Sequence, residues 1–121
     1  MSDDHAAIAQ RFLAGTRSLD EYLSYFSEDC VYKVANQPSV SGLEALGQAA
    51  GHFRSLVKGV KHEILSLHAF DDRVVCELIA HYTRNDGQEV SVPCLDLFTF
   101  SGGKIKTLQI FVDLSPVFRP S

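Results

Sequence analysis

Between residues 61 and 113 the apolar side chains recur at every second position, and short polar breaks interrupt them at Asp71-Asp72, Asn85-Asp86-Gly87-Gln88 and Ser101-Gly102-Gly103-Lys104. A period of two marks strands whose two faces differ, and Asn, Asp and Gly at the breaks supply hairpin turns. The C-terminal half is therefore expected to be a four-stranded antiparallel meander: residues 61–70, 73–84 and the two arms of 89–113. Strands of about ten residues exceed the usual five or six, so the sheet must curve.

Register decides which side chains share a face. Pairing outward from Phe100 and Ile105 sets Phe98 opposite Thr107, Asp96 opposite Gln109, Cys94 opposite Phe111 and Val92 opposite Asp113. With Phe70 beside Arg73 and Arg84 beside Glu89, His62 opposes His81, His81 opposes Val92, and Glu77 opposes Asp96. In a ladder without bulges, one face then joins Asp96, Asp113, His81 and Gln109 to Phe98, Phe100 and Phe111. A few polar groups in an apolar wall describe a small-molecule site. The opposite face, with Leu65, Leu67, Val74, Leu78, Leu95, Leu97, Leu108 and Ile110, is too apolar to stay wet. A homodimer packed through the outer sheet face is expected.

The N-terminal half has a helical period. Asp3 and Asp4 are placed to cap a helix carrying Ile8, Phe12 and Leu13, with Gly15 as its stop. Ser18 and Glu21 form a capping box before Leu19, Tyr22, Leu23 and Phe26. Residues 30–34 read as a strand containing Tyr32 and Val34, broken by Asn36 to Pro38. Ser41 and Glu44 suggest a second capping box, for a helix with Leu46, Ala50, Phe53 and Val57 on one stripe and Gly59 at its end. The expected architecture is α+β: a curved antiparallel sheet forming a cone around a pocket, covered by three N-terminal helices.

At 121 residues this is expected to be a single domain, 1–121. The net charge of -4 and the absence of a basic cluster argue against nucleic acid or an anionic membrane as partner. No apolar run reaches membrane-spanning length, and the start MSDDHAAIAQ is too acidic for a signal peptide, so a cytoplasmic location is expected. Cys30, Cys76 and Cys94 form neither a metal-ligand pair nor an even disulfide set. No glycine-rich phosphate loop is present, and neither metal nor cofactor is expected.

The order helix, helix, short strand, helix, long curved sheet resembles the nuclear transport factor 2-like superfamily, from Gln10-Arg11-Phe12-Leu13 to Phe111-Val112-Asp113-Leu114. That superfamily includes SnoaL-like polyketide cyclases, ketosteroid isomerases and limonene epoxide hydrolases. Leu95-Asp96-Leu97-Phe98 is similar to the isomerase segment bearing a hydrogen-bond-donating aspartic acid, while Phe12 and Val34 stand where isomerases hold their oxyanion tyrosine and their base. Gly103-Lys104-Ile105 followed by Phe111-Val112-Asp113-Leu114 is similar to the terminal strand of the hydrolases, and Tyr32 falls near their water-orienting tyrosine. Leu78-Ile79-Ala80 replaces the Arg-x-Asp of those hydrolases. The cyclases use a terminal-strand aspartate as base, a pattern that Asp113 with His81 resembles.

These readings converge on general acid-base catalysis, by cyclisation, isomerisation or dehydration, on a small, largely apolar carbonyl or epoxide compound. Asp113 is the expected base, His81 its partner, and Asp96 or Tyr32 the donor to a developing oxyanion. Phe12, Val34, Phe53, Phe98, Gln109 and Phe111 are the expected pocket wall. The competing reading is a non-catalytic ligand-binding or accessory dimer in which the acids are structural.

Overall fold

The computed structural model describes residues 4–15 and 18–119. Helix α1 (His5–Leu13) starts at Asp4, whose side chain accepts from the Ala7 amide at 3.1 Å; Asp3 lies outside the described residues. Helix α2 (Leu19–Ser24) starts at Ser18, whose hydroxyl accepts from the Glu21 amide at 3.1 Å, as the capping box predicts. Strand β1 (Phe26–Val34) follows at once, so Phe26 opens a strand instead of closing a helix.

Strand β2 (Val40–Ser41) absorbs Ser41 into the sheet, and the predicted second capping box does not form. Gly42 caps helix α3 (Leu43–Leu56) with no side-chain bond and a backbone φ of 88°, a conformation in which a Cβ would be strained. Helix α3 runs straight into strand β3 (Val57–Phe70), which takes up both Val57 and Gly59. Strands β4 (Arg73–Arg84), β5 (Glu89–Ser101) and β6 (Lys104–Val112) complete the meander, and a short helix α4 (Ser115–Phe118) follows.

The six strands form one mixed sheet in the order β2-β1-β6-β5-β4-β3. The meander is antiparallel as expected, while β1 returns to lie parallel to β6. Helices α1 to α3 cover one face, and the core lies between them and the sheet: Leu13 of α1, Leu46 of α3, Cys30 of β1, Leu78 of β4, Phe98 of β5 and Leu108 of β6.

Register departs from the unbulged ladder at three places, and each departure moves side chains between faces. Leu65 is an extra residue in β3 between the pairs Ile64–Leu78 and Ser66–Glu77. The β4–β5 turn pairs Thr83, not Arg84, with Glu89. Lys106 is an extra residue in β6 between Phe100–Ile105 and Thr99–Thr107. Asp96 consequently opposes Cys76 and Ile110, not Glu77 and Gln109. His81 opposes Lys61 and Ser91, not His62 and Val92.

Candidate functional site

The inner, helix-covered face carries Val74, Cys76, Leu78, Ala80 and Tyr82 from β4 and Val92, Cys94, Asp96, Phe98 and Phe100 from β5, all buried. Among the described residues Asp96 is the one buried charged or polar residue, at 3% exposure. Desolvation pushes its carboxyl up from the ordinary 3.8 to about 6, partly offset by a hydrogen bond donated by the Cys94 thiol at 3.1 Å.

Tyrosines from three elements feel its charge. The Tyr22 hydroxyl of α2 donates a long hydrogen bond of 3.5 Å to the Tyr32 hydroxyl of β1. Burial, and then the Tyr32 hydroxyl beside it, holds Tyr22 well above the usual tyrosine range. Burial also raises Tyr32 and Tyr82, and the Asp96 charge acts on all three in the same direction. These hydroxyls therefore stay protonated around neutrality and remain donors. Phe12 packs among Tyr22, Tyr25, Phe26 and Phe98 at ring separations of 5.1, 5.6, 5.5 and 5.9 Å. The Arg54 guanidinium lies 5.4 Å from the centre of the Tyr22 ring.

The helices do not seal this face. Phe12, Tyr22, Tyr32, Val34, Phe53, Ile110 and Val112 are only half-buried, although all pack against the core or stand beside it. Phe53 contacts Tyr82 and Phe118 at ring separations of 5.9 and 6.1 Å. Of the residues expected from sequence, Asp96, Tyr32, Phe12, Val34, Phe53 and Phe98 thus belong to one region.

The others lie elsewhere, because the register slips separate them. Asp113 follows the end of β6 and is exposed; its Oδ1 accepts from the Ser115 amide at 3.0 Å and from the Ser115 hydroxyl at 2.7 Å. Those two bonds hold its carboxyl below the usual range. His81 stands on the outer face, with Nδ1 2.6 Å from the Ser91 hydroxyl and Nε2 2.9 Å from Glu63 Oε1. His62 is on the inner side, its ring bonded to the Leu13 carbonyl at 3.3 Å and its pKa lowered by burial. Phe111 is an exposed outer residue. Gln109 lines an open outer groove of about 650 Å³ with Lys33, Arg73, Leu97, Thr99 and Thr107.

Sequence reasoning missed Tyr22, Tyr82 and Cys94. Cys94 carried a signal, since it stands two residues before Asp96 and so on its face of the strand. Among the described residues no group of three or more His, Cys, Asp or Glu is placed to hold a metal ion, and the three cysteines are free. No helix among them is long and apolar enough to cross a membrane.

The curved six-stranded sheet with helices on one face is the nuclear transport factor 2-like cone. Solved structures of that class superimpose on the chain across most of its length. A protein of ketosteroid isomerase-like fold from Catenulispora acidiphila, crystallised with trimethylamine, is 18% identical over 97% of this chain and 91% of its own, with a TM-score of 0.80. SalBIII, an epoxide hydrolase/cyclase-like enzyme of pyran ring formation in the polyether salinomycin, is 20% identical over 95% and 96%, at 0.78. An epoxide hydrolase of the limonene epoxide hydrolase-like kind from Mycobacterium tuberculosis is 16% identical over 94% and 86%, also at 0.78. The model of the SnoaL-like domain matches residues 8–108, and the chain belongs to that family. No curated protein matches its sequence.

Proposed function

We propose that this protein is a small-molecule enzyme of the isomerase, cyclase or dehydratase type, acting by general acid-base catalysis on a largely apolar carbonyl or epoxide compound. The observation that carries this reading is a buried carboxyl on the inner face, held by the Cys94 thiol and raised to about 6, whose charge acts on the hydroxyls of Tyr22, Tyr32 and Tyr82. A base poised just below neutral pH is ionised when needed yet basic enough to take a proton. Asp96 fits that role better than Asp113, whose carboxylate is exposed and already engaged by Ser115. Tyr22 spends its proton on Tyr32, which leaves the Tyr32 proton to stabilise an oxyanion. The half-buried aromatic and aliphatic side chains around them form the apolar wall of the proposed pocket. The fold shared with an epoxide hydrolase and an epoxide hydrolase/cyclase-like enzyme supports the substrate class.

The test is turnover of a panel of cyclic enones and apolar epoxides by the wild type, Asp96→Asn and Asp113→Asn. Asp96→Asn is expected to lose at least about a thousandfold in rate while Asp113→Asn stays within a few fold. The reverse order of losses, or full activity of Asp96→Asn, overturns the reading.

The outer face supports a second element of the proposal, a homodimer. Leu65, Leu95 and Phe111 are 51%, 38% and 48% exposed there, although all three are large and apolar.

A further inference from the structure

We propose that Cys94 is the positioning residue of this site: its thiol ties one oxygen of Asp96 to β5 and leaves the other oxygen to meet the substrate. The inference rests on the reading of Asp96 as the base. Cys94 and Asp96 are two residues apart on one strand, so their side chains leave the sheet on the same side. The contact is 3.1 Å from Sγ to Oδ1, and both residues are buried. Asp96 Oδ2 has no hydrogen-bond partner among the described residues, and none of their sealed polar side-chain atoms is left without one.

The direction of the bond follows from the chemistry of its ends. Burial and the neighbouring Asp96 charge both push the Cys94 thiol up, so it keeps its proton and donates. Cys76, across the ladder from Asp96, does not duplicate this role, because its own thiol points to the Glu77 carbonyl at 4.0 Å and burial raises it to about 11. A thiol is a weak donor. It fixes the carboxylate while withdrawing less of its basicity than a backbone amide or a lysine, which suits a group that must still accept a proton.

Around Asp96 the tyrosines and thiols keep one charge state near neutrality. Tyr22 from α2, Tyr32 from β1 and Tyr82 and Cys76 from β4 are all raised by burial, and stay neutral. The Arg54 guanidinium of α3 stands over the Tyr22 ring. His62 of β3 is lowered by burial and bonded to Leu13 at the far end of α1. The tyrosines and thiols around Asp96 therefore do not change charge as it titrates, and the loss of signal in Asp96→Asn separates it from His62.

The experiment is a carbon-detected carboxyl titration of the folded protein, with the Asp96 signal assigned by its loss in Asp96→Asn, repeated in Cys94→Ala and Cys94→Ser. Cys94→Ala removes the donor and is expected to raise the Asp96 midpoint by about one pH unit. Cys94→Ser restores a donor and is expected to return it to the wild-type value or below. The low-pH limb of kcat/KM should move with the midpoint in each variant. An unmoved midpoint in Cys94→Ala, with a melting temperature that reports a folded protein, overturns the inference. The titration needs no turnover, so this outcome is separable from failure of the acid-base reading, which an active Asp96→Asn would signal.

Discussion

At the residue scale, the burial that makes Asp96 basic also costs stability. Its carboxyl binds a proton more tightly in the folded protein, at about 6, than in the unfolded chain, at its ordinary 3.8. As pH rises between those values the unfolded chain gives up its proton first, so stability falls across that window and levels off above about 6. The gap corresponds to a penalty on the order of 3 kcal/mol. Asp96→Asn removes the charge while keeping an acceptor for Cys94. Thermal melts are expected to show the variant more stable than the wild type at about pH 8, with the difference largely gone at about pH 4. A loss of stability at both pH values would mark Asp96 as a structural acid. Activity should run the other way, with wild-type kcat/KM rising through about pH 6 as the base ionises. The tyrosine pair gives a companion test. Tyr32→Phe removes the proton offered to the substrate and is expected to lower kcat about a hundredfold. Tyr22→Phe removes only its support and should cost less, which single-turnover rates would distinguish.

At the element scale, short helices position the site, and their ends matter accordingly. Helix α2 has only six residues, yet it carries Tyr22. Ser18 satisfies one of its orphan amides, and Ser18→Ala is expected to cost about 1 kcal/mol in denaturant titration and to weaken the Tyr22–Tyr32 contact. That cap was legible in the sequence because a capping box is a local pattern. The same pattern at Ser41 and Glu44 misled, since pairing of Ser41 with Val31 in the sheet outweighed it. The meander and its turns were legible for the same local reason. The faces were not: Leu65 and Lys106 are single extra residues, and a bulge leaves the alternation on either side intact while reversing its sense. Asp96 was recognisable as an acid in apolar company, but its neighbours depended on Lys106 and on one slip at the β4–β5 turn. Asp113 shared that apolar context, and nothing local to it separated a pocket acid from one engaged by Ser115 at the start of α4.

At the scale of the whole molecule, helices cover only one face of the sheet, and the other carries exposed apolar side chains among polar ones. The slips that carried Phe111 outward set it across from Leu95 on β5, near Pro93 and Ile79 of the same surface. Exposed apolar groups clustered on one sheet face favour association, and a second copy of the same face is the simplest partner because each apolar patch then meets its equivalent about a two-fold axis. The hydrogen-bonded set Glu63–His81–Ser91 belongs to this surface too, on the side of the sheet away from Asp96. Light scattering after size exclusion is expected to return twice the mass of the chain. Phe111→Glu and Leu95→Lys, changes to side chains 48% and 38% exposed, should halve that mass while leaving the Asp96 carboxyl titration unchanged. A wild-type protein that runs as a monomer at high concentration would refute the dimer without touching the inner site, since Asp96, Tyr22 and Tyr32 all come from one chain.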